Sequence, residues 1–224
     1  GHDRVEVVRS PRADVLVLGD ELLPAGPPRD GRVRDALGPL LPAWLRALGA
    51  DVERLVRVRD TAEALRAEMG GSTADLVVTT GGTAGGPVDH VHAVLDDLGA
   101  TYLVDGVAVR PGHPQLLARR TDGRLVVGLP GNPLAAVSGV LTLVMPVVQG
   151  LRGERPPVPA TAPLTEEATG HPRDTRLVPV LGGTPLHYAG PAMLRGLAAA
   201  DGMAVIPPGG AGKGDLVEVL ALPW

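Results

Sequence analysis

The sequence predicts an α/β domain built on a parallel sheet, followed by a small all-β domain. In the first 153 residues, short apolar runs alternate with segments of helical periodicity, a pattern typical of parallel strands covered by helices. After Gly153, prolines cluster and only short apolar runs follow, separated by Gly-Gly and Pro-Pro turns. We therefore expect an α/β domain over residues 1–153 and an all-β domain over residues 154–224.

The strands of the first domain are predicted from two kinds of apolar pattern. Three are continuous apolar runs, which indicate strands buried on both faces, and one alternates apolar with charged residues. In chain order the predicted strands are Asp14–Leu18, Val52–Val58, Leu76–Thr80 and Leu125–Leu129. The tail predicts strands at Thr175–Leu181, Met203–Ile206 and Val217–Leu222.

Four helices are predicted between these strands. The first helix runs from after Pro39 to Leu48, and the second runs from Asp60 through Met69. The third covers Val88–Leu98 and the fourth covers Leu134–Val148. Asp60 followed by Glu63 resembles a capping box, so Asp60 is expected to cap its helix. The apolar run 134–148 is shorter than the roughly 20 residues of a membrane span and predicts a buried helix. Because it is so apolar, part of it could also contact a second subunit.

Composition narrows the functional classes. Lys and Arg number 21 against 25 Asp and Glu, and the chain has two Trp, two Tyr and no Phe. Nucleic-acid binding is disfavoured, because it needs a cationic surface and usually stacking aromatics. The absence of Cys excludes thiol nucleophiles, iron–sulfur clusters, Cys-ligated zinc and disulfides, and is consistent with a cytoplasmic protein.

Acidic side chains follow the ends of predicted strands. Glu21 lies in Gly19–Leu22 after the first strand, and Asp60 follows the second. Ligands of open α/β sheets bind beyond the carboxyl ends of the strands, so these acids are candidate site residues. The alternatives are a solvated turn acid for Glu21 and a helix cap for Asp60.

The segment TTGGTAGGPVD, Thr79–Asp89, joins a strand to a helix and contains four glycines. Glycines let backbone amides approach an anion closely, so phosphate or pterin contact is predicted, although the segment matches neither GxGxxG nor a Walker loop. Asp89 is either a helix cap or a ligand for a hard cation.

Two further turns are rigid. GLPGNP, Gly128–Pro133, joins a strand to the long helix, and RPGHP, Arg110–Pro114, carries two side chains that can be cationic. The second turn suits an anionic substrate, with solvated surface charge as the alternative.

Taken in this order, GDEL, the strand ending in RD, TTGGTAGGPVD, VRPGHP and GLPGNP resemble the molybdopterin-binding domain of the molybdopterin molybdenumtransferases, the MoeA and gephyrin E-domain family. Residues 162–170 and 197–207 resemble segments of that family's small C-terminal β-barrel domain. The resemblance implies a three-layer α/β domain followed by a β-barrel. The two domains that precede them in full-length members are not part of this sequence.

The resemblance implies a role in the last step of molybdenum cofactor biosynthesis, in which adenylylated molybdopterin is cleaved and molybdate is inserted with the help of Mg²⁺. It assigns catalytic roles to Glu21, Asp60 and Asp89, and metal binding to Glu21 and Asp89. Molybdopterin would be bound by residues of the glycine-rich loop and the two rigid turns, namely Thr80, Gly81, Gly82, Thr83, Arg110, His113, Pro130, Gly131, Asn132 and Pro133. A homodimer and molybdoenzyme acceptors are also implied.

Five positions depart from the family pattern, and two of them, Ala36 and Leu37, stand where family members usually have a small polar residue and Asn. Ala84 replaces the usual Ser, and Arg110 and His113 replace two lysines. Two other functions therefore remain open: a non-catalytic molybdopterin or molybdate carrier, and a molybdopterin adenylyltransferase-like enzyme, whose glycine loop is similar. The all-β tail disfavours the adenylyltransferase, which is usually a lone α/β domain.

Overall fold

The computed structural model describes residues 1–86, 89–155 and 158–224. The strands are β1 (Arg12–Leu18), β2 (Leu22–Leu23), β3 (Val33–Arg34), β4 (Asp51–Val58), β5 (Leu76–Thr80), β6 (Thr101–Asp105), β7 (Val109–Arg110), β8 (Leu116–Arg119), β9 (Leu125–Leu129), β10 (Ala160–Pro163), β11 (Ala168–Thr169), β12 (Thr175–Leu181), β13 (Thr184–Pro185), β14 (Gly202–Ile206), β15 (Gly210–Ala211) and β16 (Leu216–Ala221). The helices are α1 (Leu37–Ala47), α2 (Ala62–Gly71), α3 (Val91–Asp97), α4 (Pro133–Gly139) and α5 (Met145–Leu151), with a π-helical stretch at Val140–Val144 and a 3₁₀ turn at Leu197–Ala199.

The main sheet has six strands in the order β4-β1-β5-β9-β8-β6. The first four run parallel, which confirms the four predicted strands. β8 and β6 extend the sheet antiparallel at one edge and were not predicted. They are short strands of four and five residues, and they flank the RPGHP turn, whose composition indicates a loop.

Helices cover both faces of this sheet, so the three-layer architecture is confirmed. Successive residues of β1 enter opposite cores, as expected for a strand buried on both sides. Val15 packs in the core that contains Trp44 of α1 and Val137 of α4, whereas Leu16 packs in the core that contains Leu65 of α2 and Val94 of α3. The helices cover the two faces of the sheet but not its edge at the carboxyl ends of the parallel strands, where the loops can form a site.

The predicted buried helix is part of one continuous 19-residue helix, Pro133–Leu151. Its centre is π-helical at Val140–Val144, where Pro146 has no N–H to donate to Thr142 and the Met145 N–H bonds to the Val140 carbonyl. By length and composition the helix could cross a membrane, but 61% of its apolar window is buried inside the fold. Its core-facing residues include Leu134, Val137, Leu141, Val144 and Val148. The chain's own core therefore covers most of this helix, which does not by itself require a partner.

The predicted start of α1 was wrong. We expected regular helix only after Pro39, but α1 begins at Leu37. The Gly38 N–H donates to Asp35 Oδ1 at 2.8 Å, which starts the helix. Pro39 is then in the first turn, where a missing N–H costs no hydrogen bond, and Pro42 is accommodated further inside the helix.

The predicted cap of α2 was also wrong. Thr61, not Asp60, is the N-cap, and its Oγ1 accepts from the Ala64 N–H at 3.2 Å. The helix itself is confirmed, with its predicted apolar positions Leu65 and Met69 fully buried. Asp60 is thus not committed to the helix. α3, Val91–Asp97, lies inside the predicted segment, whose first residue, Val88, is outside the described residues.

The tail is an all-β unit, as predicted. Its main sheet has the order β10-β16-β14-β12-β13, with a separate β11-β15 ladder. Both sheets contribute to a third core made of Leu164, Ala168, Val178, Val180, Ala204, Ile206 and Val217. β7, which belongs to the first part of the chain, pairs in parallel with β12. The all-β unit is therefore joined to the α/β part beside the RPGHP turn.

We propose that the domain boundary lies at residues 153–154, as the change in sequence pattern predicts. Glu154, Arg155 and Pro159 are exposed, and Val158 is 92% exposed, while Pro156 and Pro157 lie outside the described residues. Proteinase K is expected to cut first between residues 154 and 165, giving two fragments on a denaturing gel. A first cut inside residues 76–98 would contradict this boundary.

Candidate active site

A cavity of about 780 Å³ lies at the carboxyl ends of the parallel strands. Parallel strands end at the same edge of a sheet, so the loops that follow β1, β4, β5 and β9 meet there. Predicted site residues that line this cavity are Glu21, Asp60, Thr80, Gly81, Gly82, Thr83, Asp89, Pro130, Gly131, Asn132 and Pro133. We call it the main pocket. Of the predicted site residues, it lacks only Arg110 and His113.

The three predicted acids bring carboxylates to the main pocket. Glu21 is exposed and its carboxylate lies over Gly19, so that a Cβ on Gly19 would be 2.8 Å from Glu21 Oε2. Asp60 Oδ2 accepts from the Asp20 N–H at 3.4 Å. Within the described residues, none of the three acids forms a salt bridge. Their charges are thus available to a ligand.

Asp89 closes a turn of the glycine-rich loop rather than capping α3. Its Oδ2 accepts from the Gly86 N–H at 2.5 Å, and its own N–H donates to the Gly86 carbonyl at 3.0 Å. The N-cap of α3 is His90, without a side-chain cap bond. Asp89 therefore fixes the end of the loop, while Pro87 and Val88 of the predicted segment lie outside the described residues.

The glycine-rich loop needs glycine for its backbone conformation. Gly81 and Gly82 have φ values of +85° and +71°, in the left-handed region that disfavours residues with a Cβ. The Gly81 N–H donates to the Leu129 carbonyl at 2.8 Å, which holds the loop beside the turn after β9. Thr80 and Thr83 are buried on either side of the two glycines. Hydrogen bonds of Gly81 at one end and of Asp89 at the other therefore hold the loop beside the main pocket.

Two alanine variants separate backbone strain from crowding in this loop. Gly82 and Gly85 have similar φ values, +71° and +76°, but a Cβ on Gly82 would lie 3.1 Å from Val91 Cγ2, whereas a Cβ on Gly85 would meet no atom of the described residues within 4 Å. Both variants are expected to lose about 1 kcal/mol of unfolding free energy from strain, with a larger loss for Gly82→Ala. Urea denaturation of both variants measures the difference, and equal losses would contradict the crowding at Gly82.

The PGNP turn forms a second wall of the main pocket, beside the glycine-rich loop. Pro130 is buried, Gly131 and Asn132 are exposed, and Pro133 opens α4 at its first position. A Cβ on Gly131 would lie 3.6 Å from the Cα of Gly81, so the turn and the glycine-rich loop are in contact. These two loops together frame the pocket.

A loop of the all-β unit completes this wall. The first free amides of α4, those of Leu134 and Ala135, donate to the Pro191 carbonyl at 2.8 and 3.3 Å. Ala192 and Leu194 from the same loop line the main pocket. The all-β unit thus shapes the site, a contribution that local sequence patterns did not predict.

Asp35 was missed by the sequence analysis, although it lines the main pocket. It is 3% exposed, and its Oδ2 accepts from Arg57 at 2.6 Å while Oδ1 accepts from the Gly38 N–H. This carboxylate is neutralised and used structurally. Its position three residues before a helical amide is a capping signal that could have identified it.

Arg110 and His113 line a second cavity of about 630 Å³. We call it the second pocket; it adjoins the main pocket, and both are lined by Pro114, Pro130 and Asn132. Arg110 Nε donates to Asp174 Oδ2 at 2.7 Å, and this hydrogen bond is the main cause that lowers the pKa of Asp174 below its ordinary value. Part of the Arg110 charge is therefore already paired.

His113 is held in one orientation. Its Nδ1 lies 2.8 Å from the Val107 carbonyl, which can only accept, so Nδ1 carries a proton and donates. The second pocket is completed by residues that the sequence analysis did not single out: Arg176, His187 and Tyr188 of the all-β unit. They reach His113 through the pairing of β7 with β12, a long-range contact without a local sequence signal.

Comparison with known families explains this arrangement. The family described as "Probable molybdopterin binding domain" matches residues 14–150, and the "MoeA C-terminal region (domain IV)" matches residues 161–222. The chain belongs to this molybdopterin-binding family. The first match contains every predicted site residue, and the second covers the all-β unit that supplies part of both pockets.

Curated relatives match most or nearly all of the chain. The molybdopterin molybdenumtransferase of Bacillus subtilis (strain 168) is 30% identical over 239 residues, covering 99% of this chain and 55% of that protein. A molybdopterin molybdenumtransferase of Staphylococcus epidermidis (strain ATCC 12228) is 32% identical over 160 residues, covering 69% of this chain and 38% of that protein.

Among solved structures, a molybdopterin biosynthesis MoeA protein of Pyrococcus horikoshii superposes with a TM-score of 0.78 at 27% identity. The match covers 95% of this chain and 54% of that one. The chain therefore spans about half the length, or less, of the relatives it matches.

Proposed function

We propose that this chain acts in the last step of molybdenum cofactor biosynthesis, binding adenylylated molybdopterin and inserting molybdate into it. The observation that carries this proposal is the convergence, on one pocket of about 780 Å³, of the glycine-rich loop, the PGNP turn and three carboxylates that form no salt bridge within the described residues. Membership of the molybdopterin-binding family supports it further. A cytoplasmic location is part of the proposal and is consistent with the absence of Cys.

The two framing loops would bind molybdopterin. The backbone of Gly81 and Gly82 leaves room for close approach by a phosphate, and buried Thr80 and Thr83 border the same loop. Pro130, Gly131, Asn132 and Pro133 would close the pocket from the other side. The second pocket, with Arg110 and His113, would take a further anionic part of the substrates.

The donor set fits a Mg²⁺ that is shared between protein and substrate. Within the described residues, no three acidic or histidine side chains form a complete metal site. Mg²⁺ is commonly held by one or two carboxylates together with substrate phosphates and water, and Glu21 and Asp89 would supply those carboxylates. Bound there, the cation would polarise the phosphoanhydride of the adenylylated substrate. Asp60 would add negative charge that holds the cation in the pocket.

A non-catalytic molybdopterin or molybdate carrier is the second candidate. It is favoured by the incomplete acidic cluster within the described residues and by Ala84, an apolar side chain that lines the main pocket in the glycine-rich loop. An adenylyltransferase-like activity is disfavoured because the C-terminal region matches the MoeA family. The carrier and the transferase share the binding site and differ only in turnover.

We also propose that the chain forms a homodimer and passes the cofactor to molybdoenzyme acceptors. Burial of the long helix removes the sequence argument for a dimer, so this proposal depends on the family resemblance. Light scattering at micromolar concentration is expected to give about twice the 23.0 kDa chain mass. A mass equal to one chain would contradict it.

The proposed activity is tested by supplying adenylylated molybdopterin, molybdate and Mg²⁺ to the purified chain. AMP release together with molybdenum incorporation would support the transferase. Tight binding without either product would select the carrier instead. Failure to bind molybdopterin with or without the adenylyl group would contradict both functions.

A further inference from the structure

The main pocket has an unusual balance of charge for a site that binds a phosphate ester. Asp35 is neutralised by Arg57, which leaves the carboxylates of Glu21, Asp60 and Asp89. Among the pocket's described lining residues, Arg34 is the one cationic side chain. An anion entering this pocket is repelled by three carboxylates unless a positive charge lies within a few ångströms.

Arg34 is held at the pocket by its backbone. It belongs to β3, which pairs with β2 directly after Glu21. On either side of Arg34, the Val33 N–H donates to the Glu21 carbonyl at 2.9 Å and the Asp35 N–H donates to the Leu23 carbonyl at 3.0 Å. The same ladder therefore fixes the positions of Glu21 and Arg34, a carboxylate and a guanidinium on one wall of the pocket.

The Arg34 guanidinium keeps most of its donors available. Of its five N–H groups, the described structure uses one, from Nη1 to the Gly26 carbonyl at 3.3 Å, a long hydrogen bond. Arg34 has no salt-bridge partner within the described residues, whereas Arg57 pairs with Asp35. A planar guanidinium with unused donors is suited to bidentate binding of a phosphate.

We infer that Arg34 is a substrate-binding residue that pairs with the phosphate of molybdopterin in the main pocket. This inference rests on the proposed function, since it assumes that molybdopterin is the ligand. Arg34 would be the protein's own positive charge in the pocket, in addition to the Mg²⁺ proposed to bind Glu21 and Asp89. Its place next to Glu21 would bring the phosphate and the cation to the same wall.

Three variants test the inference, with Arg32→Met as the matched control. Arg32 is exposed and lies two residues before Arg34, but it does not line the pocket. In anaerobic titrations with molybdopterin, Arg34→Met is expected to weaken binding by about tenfold to a hundredfold, and Arg34→Lys by less, because a lysine keeps the charge without the bidentate geometry. Arg32→Met is expected to bind like the wild type.

Salt dependence provides the second readout. Wild-type binding should weaken as KCl is raised, and the dependence should be shallower for Arg34→Met, because one phosphate contact has been removed. All variants should unfold at the wild-type temperature, since both arginines are exposed. If the wild type binds and Arg34→Met binds equally well with an unchanged salt dependence, the role of Arg34 is overturned while the proposed function stands. If the wild type does not bind, both are overturned.

Discussion

Replacing Asp89 by Asn is expected to lower Mg²⁺-dependent turnover of adenylylated molybdopterin by at least about 100-fold, because it removes one of two proposed carboxylate ligands from the pocket. In the structure the Gly86 N–H donates to Asp89 Oδ2 at 2.5 Å. The amide oxygen of the substituted Asn can accept the same hydrogen bond, so the conformation of the loop should be preserved. The unfolding free energy should therefore change by less than about 1 kcal/mol. Initial rates of AMP release at several Mg²⁺ concentrations measure the effect.

Asp20→Asn is the matched control for Asp89. Asp20 is exposed beside Glu21 but does not line the pocket, and only its backbone N–H contacts Asp60. This variant should keep wild-type turnover. Equal turnover rates for Asp89→Asn and Asp20→Asn would show that Asp89 is not a metal ligand. If Asp89→Asn unfolds but binds molybdopterin normally once it is stabilised, Asp89 is a purely structural residue.

Replacing Arg54 by Met is expected to lower the unfolding free energy by about 3 kcal/mol, because it leaves a buried carboxylate without its charge partner. Asp14 is 1% exposed, and its Oδ2 accepts from Arg54 Nε at 2.9 Å, from Arg54 Nη2 at 2.7 Å and from Ser72 Oγ at 2.7 Å. Only the Ser72 bond would remain. Chemical denaturation at neutral pH measures the loss.

Two further variants isolate the cause of this loss. Glu68→Gln removes the charge of the other partner of Arg54. Because the Glu68 side chain is partly exposed, this variant should lose less than about 0.5 kcal/mol of unfolding free energy. The double variant Asp14→Leu with Arg54→Met removes the buried charge together with its partner and should recover most of the stability. A large loss in Glu68→Gln, or no recovery in the double variant, would show that the buried pair is not the source.

The part of the fold that the sequence predicted is the part governed by local patterns. The runs at Leu76–Thr80 and Leu125–Leu129 begin with apolar residues and carry no charge, because helices bury both faces of β5 and β9. The site acids Glu21 and Asp60 could be found for a related reason: they directly follow strands whose carboxyl ends must meet at one edge. Local pattern and topology were sufficient here.

The features that were missed depend on contacts between distant parts of the chain. β6 and β8 are only partly buried and have no run of buried residues like that of β5 or β9, and they are stabilised by pairing at the sheet edge. Arg176 and His187 line the second pocket because the all-β unit is joined to the α/β part by the pairing of β12 with β7 and by the hydrogen bonds from α4 to the Pro191 carbonyl. The sequence predicted Asp60 rather than Thr61 as the cap of α2 because either side chain can cap a helix. The backbone geometry after β4, which local patterns do not give, decides between them.

The most direct test of the main pocket as the molybdopterin site is hydrogen–deuterium exchange of the chain with and without molybdopterin. The proposal predicts slower exchange at amides of residues 80–86 and 131–132 on binding, at the glycine-rich loop and the PGNP turn that frame the pocket. Strands β10, β11 and β13–β16 should exchange equally in both samples. Protection confined to those strands, or no protection at either loop while molybdopterin is bound, would contradict the account.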